Sequence, residues 1–289
     1  MRATRTESQY DKWPLTSEPA PAMELSVFRD LVWQKGLEYY RDLPWRRTTD
    51  PYEIWISEVM LQQTQVSRVD GRWQHWLQRF PSAEDLASAQ KADVLEEWQG
   101  MGYNRRALAL HKAAQLVSAM PNGFPKLEKE LQALPGIGPA TAAGIRAFAF
   151  GLPSTYLETN VRTVFLHHLY PQETGVPDKR LVPLVRAACV AEDPRGWYYA
   201  LLDYGAWLKR TVPNPSRRSR GHVRQTSFEG SHRQKRAQVV RMLLGARTNG
   251  VEPRAVADEL AVTCAEAREL LDELAQEEFC ARDGNIWRV

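Results

Sequence analysis

Two glutamates in this 289-residue chain lie in sequence contexts that would keep their carboxyl groups in opposite protonation states. Glu58 lies in a segment that is apolar on one helical face, and apolar surroundings raise the pKa of a carboxyl group. Glu158 stands at the start of a helical pattern, where the helix dipole favours the charged form. A neutral acid paired with a carboxylate is the arrangement that cleaves glycosidic bonds, because one group protonates the departing group and the other stabilises the positive sugar.

Each glutamate also has an ordinary interpretation. Glu58 would then be a surface residue of an amphipathic helix. Glu158 would be an ordinary acid at the N-terminus of the helix that it begins. The helix that follows Glu158 carries the adjacent pair His167 and His168. Neighbouring histidines point to different sides of a helix, so the pair does not favour a single metal ion.

The motif Leu134–Gly138 predicts a tight turn between two helices, with Pro139 close to the first position of the second helix. Backbone N–H groups at such a turn donate to phosphate oxygens without sequence preference. A plain glycine-containing turn is the alternative. The residues expected to contact DNA here are Gly136, Ile137, Gly138, Ala140 and Thr141.

Polar side chains follow Glu58 at the end of its predicted helix. Gln62, Gln63 and Thr64 could probe base edges or fill the gap left by a flipped nucleotide. Glycines in the segment Gly100–Asn104 break two helices and present Tyr103 at a turn. The next two residues, Arg105 and Arg106, would either contact phosphates or remain solvated.

Composition limits the class of protein. Hydrophobic residues make up 43% of the chain, and no apolar run approaches the roughly 20 residues that span a membrane. Residues 1–24 are polar and predict a disordered leader. Three scattered cysteines suit a reducing cytoplasm and predict neither disulfides nor a metal site.

A basic segment follows the helical region. Ten Lys or Arg and a single acid lie between Lys209 and Arg241. We interpret residues 211–232 as a basic linker whose Arg217, Arg218 and Arg220 contact DNA, although a solvated linker would have the same composition.

Helical periodicity with frequent Pro and Gly predicts an all-α domain of many short helices over residues 25–210. Most of its tryptophans occupy apolar positions and are expected in the core. Residues 233–289 predict three helices, from Arg236, Glu252 and Ala265, with Thr263 capping the third. Asp283-Gly284 then signals a hairpin, which completes a small winged-helix-like α/β module.

Together these stretches resemble the helix-hairpin-helix DNA glycosylase superfamily, and within it the A/G-specific adenine glycosylases (MutY type). The resemblance covers roughly residues 25–208. It is carried by Leu43–Arg46, Pro51–Val66, Phe80–Ser82, Trp98–Tyr103, Leu110–Ala114, Leu134–Gly138 and Leu157–Val161. The string Ser57–Val66 is the most specific of these.

The resemblance implies a fold of two helical subdomains and a role for each candidate residue. Glu58 would protonate a ring nitrogen of the departing adenine, and Glu158 would support the oxocarbenium ion. Leu61, with Gln62 and Tyr103, would help to open the duplex. Relatives that also cut the DNA strand, such as endonuclease III, carry a Schiff-base lysine at the position of Ala140, so a monofunctional enzyme is expected here.

The chain departs from the family pattern at four places. Glu158 replaces the usual Asp, and Asn104-Arg105-Arg106 replaces Tyr-Ala-Arg. The segment after Leu208 lacks the four cysteines that bind an iron–sulfur cluster, so no cluster is expected, and a monovalent cation at the hairpin is left open. The module at 233–289 stands where the family has a domain that reads 8-oxoguanine.

Three functions are compatible with these observations. The first is a monofunctional glycosylase of base excision repair that removes a purine, in first place adenine opposite 8-oxoguanine or guanine. The second is a clusterless glycosylase for a different modified base. The third is a non-catalytic DNA-binding protein on a glycosylase scaffold. In each case the expected partner is double-stranded DNA, and the protein is expected to be a monomer in the cytoplasm, associated with the nucleoid.

Overall fold

The computed structural model describes residues 12–14, 21–223, 227–247 and 249–289, and most of these residues are helical. No helix among them is long and apolar enough to cross a membrane. The α-helices are α1 (Leu25–Glu38), α2 (Pro51–Leu61), α3 (Val66–Val69), α4 (Arg72–Arg79), α5 (Ala83–Ser88), α6 (Lys91–Glu97), α7 (Arg105–Ser118), α8 (Glu128–Gln132), α9 (Pro139–Phe150), α10 (Thr159–Leu169), α11 (Asp178–Ala188), α12 (Pro194–Thr211), α13 (His232–Ala246), α14 (Pro253–Leu260) and α15 (Cys264–Gln276). Two short 3₁₀ helices span Pro44–Arg46 and Pro215–Arg218, and a hairpin is formed by β1 (Ala281–Asp283) and β2 (Ile286–Arg288).

The chain divides into two compact units. Unit 1 comprises residues 1–58, 126–133 and 137–224, and unit 2 comprises residues 59–125, 134–136 and 225–289. The all-α architecture predicted from the sequence is confirmed, and the described residues add one small two-stranded sheet near residue 289.

Unit 1 is built on the packing of α12 against α1 and α10. Phe28, Phe165 and Trp197 pack edge-on at its centre, with centroid distances of 4.9 and 6.4 Å. Gly205 allows α12 to lie against the start of α10, because a Cβ there would be 2.2 Å from the Asn160 carbonyl oxygen. The N-terminal end of α10 is therefore fixed by backbone contact with α12.

Trp13 also belongs to this core, although the sequence placed it in a disordered leader. Its indole donates to the Met23 carbonyl at 2.6 Å, and its ring lies 5.6 Å from that of Phe28. The rest of the predicted leader, residues 1–11 and 15–20, lies outside the described residues.

Helix α2 starts at a capping aspartate and is held by buried ionic groups. The Asp50 carboxylate accepts from the Tyr52 N–H at 2.8 Å, which satisfies a first-turn donor. Just before it, Arg46 forms two hydrogen bonds of 2.7 and 2.8 Å with the buried Asp203 on α12. Arg195 of α12 donates to the carbonyl groups of Arg46 and Phe148. These contacts set where α2 enters unit 1.

The basic segment after α12 is structured up to residue 223, which corrects its interpretation as a linker over 211–232. Arg220 donates from its backbone to the Val176 carbonyl at 2.9 Å, and Val176 donates to the Arg218 carbonyl at 3.1 Å. Ser216 and Ser219 are buried. A linker would leave these groups in water, whereas here the segment packs on unit 1; residues 224–226 lie outside the described residues.

Arg218 explains why the segment packs. Its guanidinium donates to the carbonyl groups of Leu166 at 2.8 Å, Pro171 at 2.6 Å and Tyr170, at the C-terminal end of α10. Helix ends leave their last carbonyl groups without partners, and a cation there is favoured by the helix dipole. Arg218 therefore caps α10, which corrects the expectation that its side chain is an open phosphate contact.

Unit 2 has an aromatic core. The Trp76 ring lies 5.0 Å from that of Phe80 and 5.4 Å from that of Trp98, both edge-on. Trp73 of unit 2 is buried too, as are Trp45 and Trp55 of unit 1. The prediction that most tryptophans serve packing is therefore confirmed.

The C-terminal module consists of α13, α14, α15 and the hairpin, as the sequence predicted. Thr263 and Glu266 form the predicted capping box. Helix α13 begins four residues earlier than expected, because Ser231 caps it by accepting from the Gln234 N–H. The hairpin turn is Gly284-Asn285, one residue later than expected, since Asp283 pairs with Ile286.

Candidate active site

Glu58 lies on α2 among buried residues, and only 9% of its surface is exposed. The interpretation as a surface residue is therefore wrong. Its carboxyl group lies directly on the backbone of α9, because a Cβ at Gly144 would be 2.2 Å from Glu58 Oε2. A glycine at position 144 is thus required for the carboxyl group to occupy this place.

The sequence did not identify the partner of this carboxyl group. The Tyr156 hydroxyl donates to Glu58 Oε2 at 3.2 Å. The Tyr156 ring is held edge-on by Phe148 and Tyr198, each at 5.3 Å between centroids. The Tyr156 N–H donates to the Tyr198 hydroxyl at 3.3 Å, and that hydroxyl donates to the Ser154 carbonyl.

Burial raises the pKa of Glu58 from its usual 4.5 to about 8, and the charge of Glu158 adds to this effect. The hydrogen bond from Tyr156 acts in the opposite direction, because it favours the carboxylate. A pKa near 8 leaves Glu58 mainly protonated at neutral pH. The group is therefore able to act as an acid.

Glu158 is the N-cap of α10, at the helix start that the sequence predicted. Its Oε1 accepts from the backbone N–H of Asn160 at 2.5 Å and of Val161 at 2.9 Å. Part of the residue is exposed, but its carboxyl group lies deep enough that burial raises its pKa. The two N–H groups, Lys209 and Arg162 lower the pKa and oppose that effect.

The sequence suggested that the helix start would keep Glu158 charged, but the helix start alone does not do so. Its charge depends on the balance between burial and the surrounding donors and cations. Lys209, which donates to Asn160 Oδ1 at 2.9 Å, is held beside it by α12. Burial raises the pKa of both glutamates, but only Glu158 has two backbone N–H donors and two nearby cations that oppose this effect, so it is the better candidate for the carboxylate.

The predicted hairpin lies between α8 and α9. Gly136 has a left-handed backbone with φ of 77°, and Gly138 is the N-cap of α9 with Pro139 as its first residue. Gly136 and Gly138 are exposed, whereas the side chains of Ile137 and Thr141 are buried. Any contact of this hairpin with a phosphate would thus involve backbone N–H groups, including that of Ala140.

Two loops of unit 2 carry the residues expected to open a duplex. We call Leu61–Thr64 the probe loop and Gly100–Asn104 the tyrosine turn. Gln63 and Tyr103 both have left-handed backbones, with φ of 55° and 49°. This conformation costs an L-residue about 1–2 kcal/mol, so the surrounding contacts must hold it. Gln63 is exposed, as is 41% of Tyr103.

Arg106 provides those contacts. Its guanidinium donates to the Gln62 carbonyl at 2.7 Å and the Thr64 hydroxyl at 3.0 Å in the probe loop. It also donates to the Gly102 carbonyl at 3.0 Å in the tyrosine turn. Burial lowers its pKa to about 10, which leaves it charged at neutral pH. Arg106 is thus an internal tie between the two loops and neither a phosphate contact nor solvated.

Arg105 is also occupied, because it forms an ion pair with Glu277 of the C-terminal module. Among the arginines predicted to bind DNA in the basic segment, Arg217 and Arg220 are exposed. These two remain predicted contacts, in contrast to the capping residue Arg218.

The residues of this chain do not fit an iron–sulfur cluster. Such a cluster needs four thiolates, and the whole sequence has three cysteines. Cys189 follows α11, Cys264 is exposed at the start of α15, and Cys280 is buried in the C-terminal module. The segment after Leu208, where the family pattern has the cluster cysteines, is held in place by the hydrogen bonds of Arg218.

Comparisons with known proteins agree with this geometry. A family model described as "HhH-GPD superfamily base excision DNA repair protein" matches residues 56–289. The chain is 35% identical over 196 residues to an adenine DNA glycosylase of Mycolicibacterium smegmatis, covering 60% of this chain and 66% of that protein. It is 32% identical over 235 residues to the adenine DNA glycosylase of Mycobacterium tuberculosis, covering 72% and 75%. Against the human adenine DNA glycosylase the identity is 37% over 151 residues, and the chain spans 28% of that protein.

Solved structures show the same fold. A thermostable thymine-DNA glycosylase aligns with a TM-score of 0.56 and 26% identity, covering 63% of this chain and 86% of that one. A non-covalent endonuclease III–DNA complex aligns with a TM-score of 0.51 over 73% of this chain and 94% of that one. Its identity of 17% supports the likeness of fold alone.

Proposed function

Because the chain belongs to the HhH-GPD superfamily of base excision DNA repair proteins, we propose that it is a DNA glycosylase that releases adenine from double-stranded DNA. The observation that carries the proposal is Glu58, a buried carboxyl group whose pKa is raised to about 8. The names of the relatives support adenine as the base, and 8-oxoguanine or guanine is proposed as the opposite base.

The proposed chemistry uses the two glutamates in different roles. Glu58 gives its proton to a ring nitrogen of a flipped adenine while the N-glycosidic bond breaks and its electron pair leaves with the base. Glu158, as carboxylate, stabilises the positive charge that develops on the sugar. Water then adds to the anomeric carbon and loses a proton to a carboxylate, which leaves a new, neutral hydroxyl group on the sugar.

We propose a monofunctional enzyme. Strand cleavage by related enzymes needs an amine that forms a Schiff base with the sugar. Ala140, which follows the hairpin glycine Gly138 by two residues, has a methyl side chain at the matching position. The protein would therefore leave an abasic site with an intact strand.

Double-stranded DNA is the proposed partner, and the protein is proposed to act as a monomer on the chromosome in the cytoplasm. The exposed hairpin glycines, the exposed Tyr103 and the exposed Arg217 and Arg220 supply backbone and side-chain groups of the kind that contact phosphates and bases. No cofactor takes part in the proposed reaction.

Single-turnover base release from duplexes with A:8-oxoG and A:G pairs tests the proposal. We expect release by the wild type and a loss of about 10²–10⁴-fold in Glu58→Gln, with duplex binding retained, because only the acid is removed. Glu53→Gln changes a carboxylate on the same helix outside the site, and should keep the wild-type rate. If Glu58→Gln released adenine as fast as the wild type, another group would be the acid.

The length of the Glu158 side chain is a reason to test a second class of substrate beside the first. Its side chain is one methylene longer than the Asp that is usual in the family, and a displacement of about 1 Å can cost about a hundredfold in rate. The same assay should therefore include uracil, thymine opposite guanine, and alkylated bases. Release of one of these without release of adenine would select a glycosylase for a different base. Binding without any release would select a non-catalytic DNA-binding protein.

A further inference from the structure

We propose that Tyr156 is a positioning residue for Glu58: its hydroxyl determines which carboxyl oxygen carries the proton, and it holds the carboxylate that remains after proton transfer. The inference rests on the proposed function and names a residue that neither the sequence motifs nor the family resemblance indicated.

The geometry leaves the carboxyl group little choice of orientation. Tyr156 donates to Glu58 Oε2 at 3.2 Å, and both residues are buried, with 6% and 9% of their surfaces exposed. The same oxygen lies against Gly144. A Cβ at this position would also be 3.0 Å from Tyr156 Cε2, so the glycine makes room for the tyrosine ring as well. Oε2 is thus enclosed by α9 on one side and by the tyrosine on the other.

The hydrogen bond then decides the position of the acidic proton. Burial and the nearby charges of Glu58 and Glu158 raise the pKa of Tyr156 well above its usual value, so the hydroxyl stays protonated and acts as donor. A neutral carboxyl group accepts through its carbonyl oxygen and donates through its O–H. Because Oε2 accepts from Tyr156, the proton of Glu58 lies on Oε1, the oxygen that would face the base.

The same bond becomes stronger as the reaction proceeds. Before proton transfer both partners are neutral, and the 3.2 Å distance is longer than the usual 2.7–2.8 Å for O–H···O bonds. After transfer Glu58 is a carboxylate, and a charge-assisted hydrogen bond is shorter and roughly twice as strong. An interaction that strengthens along the reaction lowers the barrier, whereas one of constant strength does not.

Among the described residues, Glu158, Tyr156 and Tyr199 interact electrostatically with Glu58, each in a different way. The charge of Glu158 raises the Glu58 pKa, and the Tyr156 hydrogen bond lowers it. Burial, with a smaller contribution from the charge of Glu58, raises the pKa of Tyr199, which therefore stays neutral. Removal of the Tyr156 hydroxyl alone should raise the pKa of Glu58, because the carboxylate loses its donor.

The test is the pH dependence of single-turnover base release by Tyr156→Phe. In the wild type the rate should be lost as pH rises through about 8, because Glu58 loses its proton there. In Tyr156→Phe we expect a plateau rate lower by about 10–100-fold, within the range of a lost hydrogen bond to a developing charge. The basic limb should move to higher pH. Tyr204→Phe, which removes a hydroxyl bonded to His168 at 2.8 Å, should retain both the plateau and the limb.

A purely structural role for Tyr156 would lower the rate or the melting temperature without moving the limb. An unmoved limb, with wild-type activity present and Glu58→Gln inactive, would overturn the inference while the proposed function stands. Absence of base release by the wild type would instead overturn the proposed function. If Tyr156→Phe does not fold, replacement of Tyr156 by 3-fluorotyrosine keeps the ring and makes the hydroxyl a stronger donor. The limb should then move to lower pH, and an unmoved limb would again overturn the inference.

Discussion

At the scale of single residues, the candidate site depends on a side chain that is absent. A Cβ at Gly144 would lie 2.2 Å from Glu58 Oε2 and 3.0 Å from Tyr156 Cε2. The Glu58 carboxyl group and the Tyr156 ring would both have to move to make room for a methyl group at position 144. A displacement of about 1 Å is enough to cost about a hundredfold in rate.

We therefore expect Gly144→Ala to lower the single-turnover rate by about a hundredfold or more, with little change in the free energy of unfolding. The helix gains roughly 0.5–1 kcal/mol from replacing glycine by alanine, which offsets part of the clash. Gly245→Ala is the matched control, because a Cβ there meets nothing within 4 Å. It should raise the melting temperature and keep the rate. A Gly144→Ala enzyme as fast as the wild type would show that the carboxyl group has room to spare.

The two glutamates were predictable from local context, and their partners were not. An apolar helical face indicated Glu58, and a helix start indicated Glu158. The contact between Tyr156 and Glu58 joins residues that are 98 positions apart. No local pattern encodes such a distance, so Tyr156 and Gly144 became visible only when α2, α9 and the segment before α10 were placed together.

At the scale of elements, the probe loop and the tyrosine turn are held by one side chain. Arg106 donates to both loops and lies over the ring of Tyr103 at 5.5 Å. A planar guanidinium presents its N–H groups in a rigid fork, whereas a lysine ammonium presents three donors from one nitrogen.

Arg106→Lys should keep the charge and lose most of these hydrogen bonds. We expect a stability loss of about 1–3 kcal/mol, since partly buried groups such as the Gln62 carbonyl lose their guanidinium donor. Duplex affinity should fall, while the pH limb set by Glu58 should stay where it is. Arg105→Lys, in an exposed ion pair, should change stability by no more than about 0.5 kcal/mol. Thermal unfolding and duplex titration measure both; equal effects of the two substitutions would contradict the role of Arg106 as a tie.

Sequence patterns predicted elements well where the signal is local. The capping box of α15, the helix-hairpin-helix turn and the C-terminal hairpin are all present, with boundaries shifted by a few residues. The basic segment was predicted to be a DNA-contacting linker because its composition alone indicated a poor core former. Its order comes from Arg218 and the end of α10, a contact that spans 52 residues in the case of Leu166.

At the scale of the whole molecule, the two classes of arginine in the basic segment should separate in their response to salt. Each phosphate contact contributes about 0.9 to the slope of log affinity against log salt. Neutralising Arg217 and Arg220 together should therefore reduce the slope by about two, with little loss of stability, because both are exposed.

Arg218→Gln is the contrasting variant. It should leave the slope unchanged and lower the free energy of unfolding by about 1–3 kcal/mol, because the carbonyl groups at the end of α10 lose their donor. Fluorescence anisotropy across a salt series, with thermal unfolding of each variant, makes the comparison. An unchanged slope in the variant that lacks both charges would show that Arg217 and Arg220 are solvated and do not contact phosphates.

The C-terminal module is tied to α6 and α7 within unit 2. Arg105 and Lys112 of α7 form ion pairs with Glu277 and Glu278, and Arg247 forms ion pairs with Asp93 and Glu96 of α6. The third helix of the module, α15, exposes Glu266 and Glu269. Acidic side chains repel a phosphate backbone, so this helix is poorly suited to read DNA as the third helix of a DNA-binding winged helix would.

These ion pairs also have a consequence for biosynthesis. Arg105 and Glu277 are separated by 172 residues, and Lys112 and Glu278 by 166. At about 5–20 residues per second, a ribosome needs roughly 10–30 s after making α7 before the acids that pair with it exist. The helices of unit 2 that are made first therefore lack these ion-pair partners until the module has been made, and the module docks only after all of unit 1 has been synthesised.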